Sequence, residues 1–191
     1  MWGNSPQNYT DFCERGLKNN NGGIIADIGC GTLSFTYKAY SEYHKKEIFL
    51  CDLSNEMLNI GKNRIEQIGD NNSSIIFLRS DALNMPFKDN TIQTILNFGL
   101  LHIFDNPSLL LNEFVRILKP DGQLYLTCLC TDRKLSAKYL KLLYKKGHIA
   151  KPLKSTEIRN IIERSGIKID TLEIKGGMAY VSGIKNNYPQ N

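Results

Sequence analysis

Short apolar runs of strand length recur along the chain and alternate with segments in which apolar residues have helical spacing. Seven runs rich in β-branched residues predict strands, at Ile24–Ile28, Glu47–Cys51, Ile75–Arg79, Ile92–Leu96, Gln123–Cys128, Ile167–Ile174 and Met178–Ile184. Strands that alternate with helices are typical of a parallel sheet covered on both faces. The pattern therefore predicts an α/β fold.

Several of these elements have recognisable ends. Ser54 is a predicted N-cap, and the apolar spacing after it predicts a helix that ends at Gly69. Another helix is predicted from Pro107 to Leu118, where Lys119-Pro120-Asp121-Gly122 stops it. Only Lys175-Gly176-Gly177 separates the last two strands, which is too short for a parallel crossover. These strands are therefore predicted to form an antiparallel hairpin at the sheet edge.

Length and composition narrow the class of protein. The 191 residues, of which 41% are hydrophobic and 23% charged, predict a single globular domain over residues 1–191. No apolar stretch is long enough to span a membrane, and the N-terminus has no signal-peptide core. The five cysteines include no C-x-x-C pair, so we expect reduced thiols in a cytoplasmic protein and no zinc site.

The strongest chemical signal is a glycine turn after the first strand. Asp27-Ile28-Gly29-Cys30-Gly31-Thr32-Leu33-Ser34 ends that strand, and Phe35, Tyr37 and Tyr40 follow at helical spacing. Glycine lets a ligand approach the backbone closely, and the free N–H groups of a helix N-terminus attract a carboxylate or phosphate. The pattern favours a nucleotide-type site, although a tight turn without a ligand would use the same residues.

Three acidic residues indicate the charge of the ligand. Asp27 would repel the pyrophosphate of a dinucleotide, and Ser34 stands where the third glycine of that fingerprint is expected. Asp52 ends the second strand, 21 residues after Gly31, where a carboxylate can bind both ribose hydroxyls. Asp81 follows the third strand. The three carboxylates therefore favour a cationic nucleoside over NAD.

Four motifs together resemble the class I S-adenosylmethionine-dependent methyltransferases. They are Asp27–Thr32, Cys51–Leu58, Ser80–Asn90, and Leu100-Leu101-His102 followed by Arg116–Gly122. The last pair is similar to the subgroup of ubiquinone/menaquinone-biosynthesis methyltransferases. The resemblance covers about residues 24–184 and implies a doubly wound, Rossmann-like, seven-stranded sheet that is mostly parallel with an antiparallel last strand.

The resemblance also implies the cofactor, S-adenosyl-L-methionine, and the residues around it. Asp27 would hold the amino group, Asp52 the ribose, and Asp81 the polar edge of the adenine. The other implied cofactor-binding residues are Gly29, Cys30, Gly31, Thr32, Leu53, Met57, Ala82, Asn97, Phe98 and Gly99. The family usually has a glycine where this chain has Leu33, which predicts a differently set loop and weaker hold on the methionine part.

Methyl transfer from a sulfonium needs alignment and exclusion of water more than catalytic side chains. A general base matters only where the acceptor must lose a proton early, and His102 is the candidate for that role, with a purely structural role as the alternative. No grouping of Cys, His or carboxylate residues has metal-ligand spacing, so no metal is expected. The segment Asn97-Phe98-Gly99-Leu100 lacks the Asn/Asp-Pro-Pro-aromatic signature of base N-methyltransferases, which makes nucleic acid an unexpected acceptor.

Residues 131–154 form a strongly basic segment. They hold eight lysine and arginine residues against Asp132 alone, whereas the whole chain has a net charge of +5. A helix there is predicted to have one apolar arc and an opposite stripe of lysines. The arc consists of Leu135, Tyr139, Leu140, Leu142, Leu143 and Tyr144, and the stripe of Lys134, Lys138, Lys141 and Lys145. This helix is predicted to be a solvated surface element, a lid over an anionic or quinone-like acceptor, or a transient membrane-surface contact.

The motifs therefore predict a methyltransferase that acts on a small-molecule acceptor. Two alternatives stay open at this point. The chain could be a non-enzymatic module that binds S-adenosylmethionine, or an RNA or protein methyltransferase recruited by the basic segment. Neither the acceptor nor the oligomeric state is defined by the motifs.

Overall fold

The structure follows the predicted alternation of strands and helices. It is a computed structural model that describes residues 5–43, 47–68 and 74–186. The strands within these ranges are β1 (Ile24–Ile28), β2 (Ile48–Asp52), β3 (Ile75–Arg79), β4 (Ile92–Phe98), β5 (Leu118–Leu129), β6 (Ile167–Lys175) and β7 (Met178–Lys185). The helices are α1 (Pro6–Lys18), α2 (Tyr37–Ser41), α3 (Asn55–Glu66), α4 (Pro107–Ile117), α5 (Lys134–Lys145) and α6 (Ser155–Arg164), with a 3₁₀ turn at Leu101–Ile103.

All seven strands join one sheet in the order β3-β2-β1-β4-β5-β7-β6. Strand β1 pairs in parallel with both β2 and β4, so the strand order reverses between them. Strand β7 is antiparallel to both β5 and β6, and β6 lies at the edge. The predicted fold class and the terminal hairpin are confirmed. The reversal at β1 and β4 creates a crevice at their carboxyl ends, where such sheets bind ligands.

Two hydrophobic cores lie on opposite faces of the sheet. One contains Phe114 of α4 and Ile158 of α6, and the other contains Phe12 of α1 and Tyr40 of α2. Residues of β1 alternate between these cores because successive side chains of a strand point to opposite faces. The helices therefore cover both faces, as a doubly wound sheet requires.

Helix α1 was not predicted from the sequence. It begins with Pro6 in its first turn, and it buries Phe12, Cys13 and Leu17. The ring of Phe12 packs edge-on against Tyr180, with 5.2 Å between ring centroids. Its signal was present, because Pro favours the first turn of a helix and the buried residues have helical spacing.

Two predicted boundaries need correction or qualification. Strand β5 begins at Leu118, directly after α4, so the predicted stop at residues 119–122 lies within the strand. The pairing of β4 with β5 shifts register there, and Asp121 has a φ of 58°. A bulge therefore absorbs the Pro and Gly residues that indicated a loop. Helix α3 begins with the predicted cap, because Ser54 Oγ accepts from the N–H of Met57, whereas Gly69 lies outside the described residues.

The expected packing of the basic helix is wrong in one respect. Leu140 is the buried residue of α5, while Leu135 and Leu142 are 79% and 47% exposed. Leu135 and Leu142 are seven residues apart and so lie on one line of the helix, whereas Leu140 is about 140° away from Leu135. The predicted apolar arc is therefore divided between the core and the surface. Among the described residues, no helix has the length and apolar character needed to cross a membrane.

Candidate active site

The glycine turn after β1 is held against β2 by backbone hydrogen bonds. The N–H groups of Gly29 and Cys30 both donate to the carbonyl oxygen of Cys51, at 2.8 and 3.0 Å. Gly29 and Gly31 have φ values of 74° and 57°, which favour glycine. A Cβ at Gly29 would lie 2.7 Å from Leu100 Cδ2, whereas one at Gly31 would meet nothing within 4 Å. The turn is thus packed at its first glycine and open at its second.

Leu33 occupies the position at which the family usually has glycine. Its φ is 56°, in the left-handed region, and its side chain is 2% exposed. A Cβ on Gly61 of α3 would lie 3.1 Å from Leu33 Cγ. The leucine therefore keeps the backbone conformation of a glycine, and its side chain fills the space that Gly61 leaves on α3.

Asp27 is a buried carboxylate with one unpaired oxygen. The hydroxyl of Tyr40 donates to its Oδ2 at 2.7 Å, and Oδ1 has no hydrogen-bond partner among the described residues. The residue lines a cavity of about 160 Å³ together with Tyr9, Phe35 and Phe98. A buried acceptor without a donor is costly unless a ligand completes it. This cavity suits a small cationic group.

Burial also affects the protonation of Asp27. Loss of solvent raises the pKa of its carboxyl to about 7, the hydrogen bond from Tyr40 opposes this rise, and the charge of Asp52 adds to it. The carboxyl is therefore near half-protonated at neutral pH. A cation bound in the cavity would favour the ionised form.

Asp52 joins the glycine turn to the start of α3. Its Oδ2 accepts from the N–H of Gly31 and its Oδ1 from the N–H of Ser54, each at 2.9 Å. A carboxylate has about four lone-pair sites, so two hydrogen bonds leave it able to accept two more. The residue lies half-buried at the crevice and can still bind two hydroxyl groups.

Asp81 and its neighbours form an exposed rim beside Asp52. The backbone N–H of Ser80 donates to the carbonyl oxygen of Asp52 at 3.0 Å, which brings the ends of β2 and β3 together. Asp81 Oδ1 accepts from the N–H of Leu83 at 2.9 Å. On this rim Leu53 is 63% exposed, and Met57 and Ala82 are partly exposed. The structure therefore places apolar and acidic groups along one open edge.

Arg116 fixes the segment that follows this rim. Its guanidinium donates to the carbonyl oxygens of Met85 and Phe87 and to the carboxylates of Glu113 and Asp89, at 2.7–3.0 Å. Glu113 also accepts from the N–H of Met85. The arginine of the last motif is therefore a positioning residue, and it lies in contact with the segment that the third motif covers.

The end of β4 contributes Asn97, Phe98 and Gly99. Asn97 is fully buried; its Nδ2 donates to the carbonyl oxygen of Ile28 at 2.7 Å, and its Oδ1 has no partner among the described residues. Phe98 lines the Asp27 cavity. Gly99 has a φ of 82°, which favours glycine, and a Cβ there would make only an ordinary contact with the ring of His102, 3.9 Å from Cε1. The side chain of Asn97 therefore ties β4 to the glycine turn.

His102 lines a second cavity, of about 170 Å³. Its neighbours there include Leu101, Phe104, Cys128 and Leu153. The Nδ1 atom of His102 is buried without a hydrogen-bond partner among the described residues, and burial lowers the pKa of the ring to about 4. His102 is therefore a neutral imidazole at physiological pH, and its unpaired Nδ1 is buried in a residue that lines a largely apolar cavity.

The thiols and the remaining residue of the turn, Thr32, complete the surroundings of the crevice. All five cysteines are free, and burial raises the pKa of Cys30 far above its usual value. Thr32 is half-buried, and its hydroxyl shares a hydrogen bond with that of Ser34 at 2.7 Å. Within the described ranges, no group of three or more His, Cys, Asp or Glu side chains is placed to hold a metal ion.

Sequence comparisons agree with the fold and the motifs. A family model described as a methyltransferase domain matches residues 26–126, which is more than half of the chain. The demethylmenaquinone methyltransferase of Bacteroides fragilis is 29% identical over 123 residues, covering 64% of this chain and 49% of that protein. A Mus musculus protein named "Probable tRNA methyltransferase 9B" is 29% identical over 116 residues, covering 59% of this chain and 23% of that protein.

A structural comparison shows a similar fold over more of the chain than the family model matches. A geranyl diphosphate methyltransferase solved in complex with S-adenosylmethionine has a TM-score of 0.74 and 14% sequence identity, covering 94% of this chain and 85% of that one. The chain spans about half or less of the length of the two curated relatives described above. The family match and these relatives confirm the resemblance predicted from the motifs. The chain belongs to the class I S-adenosylmethionine-dependent methyltransferases and resembles the ubiquinone/menaquinone-biosynthesis subgroup.

Proposed function

We propose that this chain binds S-adenosylmethionine at the carboxyl ends of β1, β2 and β3 and transfers its methyl group to a small molecule. The observation that carries the proposal is Asp27 Oδ1, a buried carboxylate oxygen without a partner beside a cavity lined by aromatic rings. An ammonium group would supply the missing donor, and aromatic faces attract a cation.

The residues of the crevice fit the parts of that cofactor. Asp27 holds the ammonium group, and the open side of Gly31 and the half-buried Cys30 and Thr32 border the methionine part. The two unused acceptor sites of Asp52 bind the ribose hydroxyls.

The exposed rim suits the adenine ring. Leu53 and Met57 are apolar and exposed, so a flat ring would cover surface that now faces water. Asp81 and Ala82 lie at the end of the neighbouring strand, where they contact the polar edge of the base. Gly29, Asn97, Phe98 and Gly99 border the reactive end, with Asn97 acting through the backbone it holds.

When bound, S-adenosylmethionine supplies an electrophilic methyl group on a sulfonium. The chain itself contributes alignment and a dry site. His102 has a pKa of about 4, so it accepts a hydrogen bond from the acceptor and orients it. We assign it a positioning role in place of the general-base role.

The cavity at His102 is the proposed acceptor pocket. One of its lining residues, His102, lies beside Gly99. Most of the lining is apolar, His102 Nδ1 is unpaired, and Lys151 also lines the cavity. This chemistry suits a small apolar ring that carries a hydroxyl, such as a quinol, and Lys151 can donate to an anionic substituent. The relative named demethylmenaquinone methyltransferase supports the same class of acceptor. Because Ala150, Lys151 and Leu153 line this pocket, the end of the basic segment is the proposed lid.

The test is a screen of metabolite extracts with cofactor labelled in its methyl group, followed by mass spectrometry. We expect label in a small molecule and acceptor-dependent release of S-adenosylhomocysteine, with both products strongly reduced for Asp52→Ala at a cofactor concentration that just saturates the parent. Binding of S-adenosylhomocysteine without turnover on any acceptor would instead support the non-enzymatic module. Label in tRNA, added as a parallel acceptor, would contradict the small-molecule assignment.

A further inference from the structure

Helix α5 presents an outward surface on which apolar and basic side chains alternate. Leu135 and Leu142 are 79% and 47% exposed and lie on one line of the helix. Lys138 and Lys145, also seven residues apart, form a second exposed line beside them. Single exposed leucines are ordinary, but two in register beside a lysine line form an amphipathic surface that faces away from the core.

The bonds at the base of α5 hold the helix in place. Ser155 donates to Asp132 through both its N–H and its hydroxyl, at 2.9 and 2.6 Å. The N–H of Thr131 donates to the carbonyl oxygen of Leu153 at 2.9 Å. Leu140 anchors the inner side of the helix in the core. The excursion from residue 132 to residue 155 is therefore closed at its base, and its outer surface has a defined orientation.

Charge is concentrated on this excursion. Eight of the basic residues of the chain lie within residues 131–154, against one acid, so the rest of the chain is slightly acidic. The eight are Arg133, Lys134, Lys138, Lys141, Lys145, Lys146, Lys151 and Lys154. The partner of this surface must therefore be anionic and must also accept apolar side chains.

We propose that the outer surface of α5 docks on an anionic lipid bilayer. The lysines face the phosphate headgroups, and Leu135 and Leu142 enter the boundary between headgroups and acyl chains. RNA would satisfy the lysines but would leave the leucines against a charged backbone. An anionic bilayer accepts both kinds of side chain.

Docking would also bring the membrane close to the proposed acceptor pocket. The N–H of Ala150 donates to the carbonyl oxygen of His102 at 3.0 Å, and the next residue, Ile103, is 54% exposed. An apolar acceptor could then enter from the lipid. This consequence rests on the proposed function, whereas the docking does not.

The experiment measures co-sedimentation of the full chain, without cofactor, with vesicles of phosphatidylglycerol and phosphatidylcholine or of phosphatidylcholine alone. The parent should bind the anionic vesicles alone and lose binding at high salt. Reversing Lys138, Lys141 and Lys145 to Glu should weaken binding about 100-fold, from about 1 kcal/mol per lysine. Leu135→Ser with Leu142→Ser should weaken it about 10-fold or more at unchanged charge.

Two control variants have matched changes elsewhere on the surface. Lys38, Lys62 and Lys168 are exposed lysines on α2, α3 and β6, and their reversal to Glu changes the net charge equally. Leu109→Ser removes a leucine that is 53% exposed on α4. Both controls should bind vesicles as the parent does, and thermal unfolding should show that every variant is folded.

The proposal would be overturned if the parent did not bind anionic vesicles. It would also be overturned if neither α5 variant weakened vesicle binding, or if the control charge reversal weakened it equally. Where vesicles do not bind, loss of tRNA binding in the lysine variant would assign the surface to RNA, and a parent dimer that the leucine variant dissociates would assign it to a second copy. Calorimetry with S-adenosylhomocysteine separates this test from the proposed function, because the cofactor crevice is intact in every variant.

Discussion

Charged side chains are placed differently in two regions of the molecule, the crevice at β1, β2 and β3 and the excursion between β5 and α6. In the crevice, Asp27 is buried and Asp52 holds two backbone N–H groups, so carboxylates are fixed before any ligand binds. On α5 the lysines are exposed and solvated. Carboxylates that are positioned by burial or by hydrogen bonds suit one small cation of defined shape, whereas solvated charge suits an extended anionic surface.

A mildly basic chain can bind a cationic cofactor because its charge is divided between these two regions. The net charge of +5 arises from the excursion, and the crevice has its own acidic field. The net charge of the chain therefore indicates the anionic partner proposed for the excursion, but it gives the wrong sign for the ligand of the crevice. Of the four predictions below, two test the acidic field of the crevice and two test the packing and the pocket beside it, from the largest expected effect to the smallest.

Asp52→Ala should weaken binding of S-adenosylhomocysteine about 30–150-fold. The variant loses two charge-assisted hydrogen bonds to ribose, at roughly 2–3 kcal/mol in total, and it also frees the N–H groups of Gly31 and Ser54. Isothermal calorimetry measures the change. Asp170→Ala removes an exposed acid from the edge strand β6 and should bind as the parent does. Equal affinity in a folded Asp52→Ala variant would refute the ribose assignment.

Leu33→Gly should lower the free energy of unfolding by about 2–3 kcal/mol. Glycine relieves the strain of the left-handed backbone at this position, which stabilises the fold by about 1–2 kcal/mol. Loss of the buried leucine side chain destabilises the fold by more than that. Gly61→Ala should gain about 0.5–1 kcal/mol in the Leu33→Gly background and lose that gain in the parent, where its Cβ meets Leu33. Urea unfolding of the four proteins measures this coupling. Additive effects would show that the two residues do not share their space.

Raising the pH from about 5.5 to about 7 should tighten cofactor binding about 10-fold, because the ammonium binds ionised Asp27, whose pKa burial raises to about 7. Without ligand, raising the pH has the opposite effect on the stability of the fold. The unfolded chain ionises Asp27 near pH 4, so this residue lowers the free energy of unfolding as the pH rises from about 4 to about 7.

Two variants sharpen this prediction. Asp27→Asn should give weak binding that does not change across this pH range. Tyr40→Phe removes the hydrogen bond that opposes the raised pKa, so the transition should move to higher pH. Calorimetry across the range measures both. A parent whose affinity is flat from pH 5.5 to pH 7 would contradict the role of Asp27.

His102→Gln should change turnover least and leave the shape of the pH–rate profile unaltered between about pH 5.5 and pH 8. Burial lowers the pKa of His102 to about 4, so the ring is neutral throughout this range and does not titrate in it. Glutamine keeps a hydrogen-bonding group in the pocket. Steady-state kinetics with the identified acceptor test it, and disappearance of an ionisation near pH 6–7 would restore the general-base role.

The sequence by itself determined the sheet, the hairpin and the positions of the acids. Strand periodicity is local, and the carboxyl ends of parallel strands meet at one edge, so Asp27, Asp52 and Asp81 could be placed at the crevice from sequence alone. The sequence also contained a signal for helix α1, in Pro6 and in the spacing of Phe12, Cys13 and Leu17. This signal was missed because the patterns of the buried strands are stronger.

Only the tertiary structure decided what these residues contact. The pairing of Leu33 with Gly61, the unpaired oxygen of Asp27 and the neutral state of His102 depend on groups distant in sequence. The hydrophobic pattern also could not predict which side of α5 faces the core, because several arcs of that helix are apolar enough to face inward. Packing against the core chose Leu140, and the physical reason is that burial is set by the three-dimensional neighbourhood of a side chain.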